Sequence, residues 1–397
     1  MAITKNSTSK VHSISTIPLK AVLLLTSTLT VMSGATIAPS LPQMAVIFQD
    51  VPNSAFLSKL ILTLPALTIA LFSPIAGFLA DRYGRLKVLF PALIIYAFAG
   101  SLGFFVADLY IILIGRAVLG IAVACIMTIA ITLIGDYFQG AEMTKFIGMQ
   151  AAFMSLGGAV FVGLGGYLAD INWSYPFLIY LFSLVVLILG VIYLIEPTRK
   201  HKNDDSQKLS FLVGINKISI ILITALVSMV IFYMLPVQLP FYLKEIGIEK
   251  NSMAGLAIAC CTIASSITGF SYGNIRRKLS ISWVFVLVFG LMALGFFLIS
   301  QSNSYSAIIV AMVFNGFGLG MLMPNVNTWL LFFADEKDRG RFSGLLSSAF
   351  FMGQFLSPII LMPLVNSYGL AITFLITAIS LLSFAIFFLV RLNYQKN

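Results

Sequence analysis

Twelve apolar runs, each about 20 residues long and separated by charges or Pro/Gly/Asn turns, leave this chain few folds to choose from. A segment crossing a bilayer must bond every peptide group within itself, and a helix of about 20 apolar residues does so while spanning the hydrocarbon. The runs lie near 20–42, 57–80, 88–106, 110–134, 146–168, 174–195, 218–242, 253–274, 281–300, 306–333, 343–364 and 370–391. Almost nothing is left for a soluble domain. With 59% hydrophobic residues, 10% charged residues and 34 phenylalanines spread along its length, the chain lies outside the composition of soluble domains. The expected fold class is an all-α membrane protein of 12 transmembrane helices. A polar stretch precedes the first run and eleven more runs follow, so the first run reads as an uncleaved helix and not a secretory signal.

Net charge is +10, which in a soluble protein would point to nucleic acid. Its distribution points elsewhere. Counting loops in alternation places 20 of the 24 Lys and Arg on one side, among them Arg82, Arg85, Lys87, Arg199, Lys200, Lys202, Arg276, Arg277, Lys278, Lys337, Arg339 and Arg341. Only Lys59, Lys244 and Lys250 fall opposite. The positive-inside rule then makes the basic side cytoplasmic, with both termini there, in a multi-pass protein of the cell (inner or plasma) membrane. Trp173, Trp283 and Trp329 fall near span ends and are expected to anchor at the interface. Cys125, Cys260 and Cys261 lie inside spans with no C-x-x-C or His cluster beside them, so neither disulfide nor metal is expected.

Between the second and third runs stands GFLADRYGRLKV, Gly77 to Val88, with Asp81, Arg82, Gly84, Arg85 and Lys87 in a tight turn that must sit in water. This G-x-L-A-D-R-x-G-R pattern resembles the loop signature between helices two and three of the major facilitator superfamily of secondary transporters. The resemblance implies two pseudo-symmetric six-helix bundles and a conformational switch in which Asp81 faces the N-terminus of a helix from the other half, while Arg85 pairs with Asp136 at the end of helix four. A solvated charged turn is the plainer alternative.

The chain also repeats itself. Gly77, Gly120, Gly148 and Gly157 recur as Gly273, Gly316, Gly344 and Gly353 at a common offset of 196 residues, and Lys145 recurs as Arg341. A duplicated six-helix unit leaves such a trace, with a binding cavity between the copies near the bilayer midplane. The expected division is an N-terminal bundle at 1–195, a cytoplasmic linker at 196–217 containing EPTRKHKNDDSQK, and a C-terminal bundle at 218–397. The second copy of the loop is GNIRRKLS, Gly273 to Ser280, which keeps the positive charges and lacks the aspartate.

Arg116 is the one charged residue well inside a run, in LIGRAVLGIAVA. Burying it costs several kcal/mol unless it finds partners. Arg116 and Gly120 resemble a second family motif linked to proton or substrate handling, whose frequent glutamine is Leu119 here; snorkelling to the outer interface is the alternative. The fifth helix, SLGGAVFVGLGGYLAD, carries Gly157, Gly158, Gly163, Gly165 and Gly166, which permit close packing. It lacks the proline of the family's antiporter signature, with Phe161 and Val162 in its place, and helix eleven has GQFLSP from Gly353 to Pro358. Pro39 and Pro42 in helix one and Pro236 and Pro240 in helix seven either bend these helices into an outer gate or end them. The form APSLP resembles the exporter branch of the family.

All 14 acidic residues fall in loops or at span ends. A lipophilic cation leaving water needs a countercharge, so a cavity with Arg116 and no acid favours neutral, zwitterionic or anionic cargo. Tyr233, Gln238, Asn315, Asn325, Asn327 and Gln354 are the polar residues near mid-span, available to cargo or to helix–helix bonds. No P-loop, G-x-S-x-G elbow, H-E-x-x-H or catalytic carboxylate pair is present, so an enzyme and a cofactor are not expected. The leading expectation is proton-coupled export of small amphipathic compounds by a monomer of the drug:proton-antiporter-like branch. Transport of an anionic metabolite, such as a carboxylate siderophore or organic acid, is the first alternative, and a non-transporting receptor the second.

Overall fold

The computed structural model describes residues 17–197, 208–333 and 339–394, and these are helical almost throughout. The order is α1 (Ile17–Ala35), α2 (Leu41–Ile47), α3 (Ser54–Tyr83), α4 (Arg85–Phe105), α5 (Leu109–Tyr137), α6 (Gly140–Ile171), α7 (Phe182–Tyr193), α8 (Lys208–Glu245), α9 (Asn251–Lys278), α10 (Ile281–Gln301), α11 (Tyr305–Phe333) and α12 (Arg339–Tyr394). Short 3₁₀ turns at Ala38–Ser40 and Tyr175–Leu181 complete the first and sixth crossings. Eleven elements are long and apolar enough to cross a membrane among the described residues. The last of them holds two crossings. A helix of 56 residues would extend about 84 Å, nearly three hydrocarbon thicknesses. Gly369 breaks it at φ 78°, a backbone angle that a residue with a side chain rarely adopts.

Local chemistry sets the other ends. Gly84, at φ 115°, separates α3 from α4 within the charged loop. Asp108 caps α5 by accepting from the amides of Tyr110 and Ile111, and Ser280 caps α10 through the amide of Trp283. Within α1, Thr26, Ser27 and Thr28 donate to carbonyls one turn back, which satisfies their hydroxyls inside the apolar helix. The core of the proposed 196–217 linker, residues 198–207, lies outside the described residues together with Arg199, Lys200 and Lys202; so does Lys337.

Packing repeats with the sequence. A Cβ at Gly120 of α5 would run into Pro65 and Thr68 of α3, and a Cβ at Gly316 of α11 would run into Cys261 and Ala264 of α9. Pro65 and Cys261, like Thr68 and Ala264, stand at the same 196-residue offset as the glycines. Gly157 is pressed against Thr28 of α1, and Gly353 against Leu226 and Met229 of α8. First-half and second-half helices meet mainly where α6 runs along α9 and α3 along α12, and where the 38–40 turn and α2 touch α8. One tryptophan is less exposed than an interfacial anchor would be: Trp329 is buried against Phe285 and Phe388 inside the second half. Its position near a span end is outweighed by the apolar cluster it completes.

Candidate functional site

The charged loop assembles as an ion cluster at the end of the molecule that carries the basic residues. Arg85 Nη1 donates to Asp81 Oδ1 at 2.5 Å, and Arg85 Nε donates to Asp136 Oδ2 at 3.3 Å. Glu196 closes the cluster by accepting from the amides of Arg85 and Leu86 at 2.6 and 2.8 Å. Those amides open α4, where a carboxylate meets the positive end of the helix dipole. Sequence reasoning left Glu196 in the linker, although an acid just past the sixth span was a usable signal. Tyr137 adds a bond to the carbonyl of Ile195 at 2.5 Å, tying the end of α5 to the same segment. The Asp81 side chain is 72% exposed, so it is paired with Arg85 and not seated on a helix of the other half. Arg82 is exposed, its guanidinium 5.5 Å from the Tyr83 ring.

At the opposite end the halves are locked together. Asp170, at the end of α6, accepts from the amides of Asn251 and Ser252 at 2.6 and 3.3 Å and so caps α9. Asn251 returns a bond to the carbonyl of Ala169 at 3.0 Å. One turn inward, a Cβ at Gly166 would sit 3.0 Å from the backbone of Asn251 and Ser252 and 3.1 Å from Gly255. Gly165 abuts the carbonyl of Thr36. Gly163 takes no part, since a Cβ there would meet nothing within 4 Å.

The same helices carry a second set of glycines that touches nothing across the gap. Eighteen residues, five full turns of a 3.6-residue helix, separate Gly148 from Gly166 on α6 and Gly255 from Gly273 on α9. Gly148 and Gly273 therefore share the contact face of the engaged pair, about 27 Å away. Among the described residues, a Cβ at either would meet nothing within 4 Å. On the other helix pair, Lys59 of α3 reaches Met362 of α12, and eighteen residues from each stand Gly77 and Gly344. Among the described residues, a Cβ at Gly344 would meet nothing within 4 Å, and one at Gly77 would meet Thr128 of its own half at 3.8 Å.

Between the two ends lies Arg116, which is 1% exposed, so snorkelling is excluded. Its partners follow from the backbone. Pro65 has no N–H to give the carbonyl of Ile61, and Arg116 Nε supplies the missing donor at 2.9 Å. Ser33 lies in the last turn of α1, where carbonyls run out of helical donors, and its carbonyl takes Arg116 Nη2 at 2.6 Å. The guanidinium stands 5.0 Å from the Tyr180 ring. Tyr180 packs in turn against Tyr96 in a tilted arrangement, with ring centres 5.7 Å apart. Arg116 Nη1 is left without a partner among the described residues. Tyr233 of α8 approaches from the other half, its hydroxyl 2.8 Å from where a Cβ of Gly34 would stand.

The remaining predicted cavity residues divide. Gln238 is fully buried with both amide atoms unpartnered, as is the hydroxyl of Ser40. Asn325 does not face a cavity: it donates to the carbonyl of Ile281 and accepts from Tyr272, joining α9, α10 and α11. Asn315 donates to Ala311 of its own helix and fits against Gly295, and exposed Asn327 donates to Met323. Gln354 is half-buried. Pro39 and Pro42 sit where α1 breaks into the 3₁₀ turn and α2, whereas Pro236 and Pro240 lie inside a continuous α8, so termination does not describe helix seven. Pro358 likewise lies within α12.

The family model described as Major Facilitator Superfamily matches residues 23–281 and 221–397. The bacillibactin exporter of Bacillus subtilis (strain 168) is 25% identical over 353 residues, covering 82% of this chain and 85% of that protein. Multidrug resistance protein 1 of the same organism is 28% identical over 308 residues, 74% of this chain and 77% of that one. The crystal structure of a mutant of the nucleoside transporter NupG superposes with a TM-score of 0.76 at 15% identity, over 94% of this chain and 99% of that chain, a likeness of fold alone. Twelve crossings, a repeated packing scheme and a family match reaching both halves lead to one conclusion: the chain belongs to the Major Facilitator Superfamily and is a multi-pass membrane transporter, not an enzyme.

Proposed function

We propose that the protein is a secondary active exporter of small amphipathic compounds, coupled to protons by antiport, in which bundles 1–195 and 218–397 rock about a central cavity. The basic end is cytoplasmic by the positive-inside rule, with both termini on that side, and the arrangement described above is then the inward-open state. The observation that carries this reading is the matched pair of helix ends. Asp170 lies four residues past Gly166 and caps the helix that begins four residues before Gly255. Asp81 lies four residues past Gly77, and four residues before Gly344 is the first turn of α12. Rocking that seats Gly77 on Gly344 and Gly148 on Gly273 brings Asp81 to the N-terminus of α12, as Asp170 now stands at α9. Asp81, Arg85 and Asp136 form the switch in this reading, and the protein works as a monomer in the cell membrane.

Cargo enters below the Arg116–Tyr180–Tyr233 cluster. A second reading, transport of an anionic metabolite, is favoured by one observation: Arg116 is buried with a free N–H and no carboxylate pairs with it among the described residues. The names of the relatives support export in general, one being a bacillibactin exporter and another a multidrug resistance protein. The deciding experiment is transport in proteoliposomes under an imposed pH gradient, comparing a lipophilic cationic dye with a panel of carboxylates and catecholates. Gradient-driven dye movement is expected. Movement of the anions alone replaces the first reading with the second, and no movement of either removes both.

A further inference from the structure

Four helix–helix seats in one register are available to join the halves, and three of them are glycine pairs: Gly166 with Gly255, Gly148 with Gly273, and Gly77 with Gly344. The fourth is Lys59 with Met362. Lys59 stands 196 residues before Gly255, and Met362 the same distance after Gly166, so the lysine occupies the position that its counterpart leaves bare. It is 4% exposed, with Nζ 3.2 Å from Met362 Sδ and 4.7 Å from the centre of the Phe241 ring. Neighbouring Ser58 is wholly buried with an unpartnered hydroxyl.

Among the described residues, no carboxylate forms an ion pair with Lys59. α12 contributes the thioether of Met362 and α8 the Phe241 ring, with Lys244 and Glu245 just beyond it at the end of that helix. α2 carries no charged residue, Asp50 lies in the turn that follows it, and Arg116 on α5 is committed to the carbonyls of Ile61 and Ser33. An aromatic face and a thioether recover only part of the hydration that an ammonium gives up on burial. In the rocking motion proposed above, that deficit exists only while the outer end is closed, because opening would return Lys59 to water.

We propose that Lys59 is a positioning residue for transport: its unpaired charge opposes closure of the outer end, offsets the Asp170 latch, and keeps the two states close enough in energy to interconvert. The proposal rests on the rocking motion described under the proposed function.

The test uses the full chain in nanodiscs, with Cys125, Cys260 and Cys261 replaced by alanine and spin labels at Ala55→Cys and Glu249→Cys, exposed outer positions in opposite halves. Lys59→Met is expected to raise the closed-to-open ratio at the outer end by about tenfold or more, since removing an uncompensated buried charge is worth at least that factor. Lys59→Arg keeps the parent ratio. Met362→Glu, which supplies a countercharge and leaves the lysine in place, shifts the ratio in the same direction as Lys59→Met and covers the case in which that variant fails to fold. An unchanged ratio in Lys59→Met and Met362→Glu, or an equal shift in Lys59→Arg, overturns the proposal. If the parent itself shows a single distance with and without cargo, and Gly148→Cys with Gly273→Cys never cross-links, the rocking motion fails and the proposal fails with it. Alternation in the parent with no response to Lys59 removes the lysine proposal alone.

Discussion

The two ends of this transporter are made of similar parts in opposite conditions. At the end opposite the basic residues, proposed above to be the outer end, Asp170 caps α9 and Gly166 is pressed against Gly255; at the basic end Asp81 is exposed and Gly148, Gly273 and Gly344 face open space among the described residues. A glycine contact without its neighbour is not a defect when the same helix face carries a second one five turns away. In the proposed cycle, closure is a property of a helix pair with two seats, of which one is occupied at a time. Arg116 belongs to neither end, because its partners are the carbonyls of α1 and α3 within one half.

That separation yields the largest expected effect. Arg116→Ala leaves the carbonyls of Ile61 and Ser33 without their charged donors, at about 1.5–3 kcal/mol each, so the variant should lose thermal stability in both states. Adding Pro65→Ala restores an N–H to the Ile61 carbonyl and should recover part of the loss, which a double-mutant cycle of melting temperatures measures. No recovery would mean that the arginine acts elsewhere.

Next come the glycine seats. Gly166→Val forces a side chain into the backbone of Asn251 and Gly255 and should disfavour outer closure by about 1–3 kcal/mol. Gly148→Val meets nothing in the present state and should instead disfavour closure of the basic end. Opposite shifts in the outer label distance support two seats; shifts of the same sign break the comparison.

The smallest effects are expected at the caps. Asp170→Ala removes a capping carboxylate worth about 1 kcal/mol and should open the outer end roughly fivefold. Asp81→Ala should move the same equilibrium the other way by a similar factor. If Asp81→Ala leaves both accessibility and transport rate unchanged, the switch assigned to that loop is wrong.

The Arg85–Asp136 pair was expected from the sequence because the charged loop resembles the family signature in which that pair forms, whereas the pairing of Asp81 with the same arginine was not. Nor was the burial of Lys59. Its place two residues into a span reads equally as an interface lysine, and what buries it is Met362, some three hundred residues away. Asp170 and Glu196 were hidden for a related reason: each caps a helix that is distant in sequence, so its role depends on where that helix begins in space.

Hydropathy alone determined the twelve crossings, since a peptide group in hydrocarbon has no partner but its own helix, and the 196-residue repeat already marked the glycines that would share a role. Only the tertiary structure decided which of those glycines are engaged, that Trp329 is core, that Asn325 joins helices, and that Arg116 answers the proline at position 65. Which contacts form between helices follows from the register in which two faces meet, and that register exists only once the halves are packed.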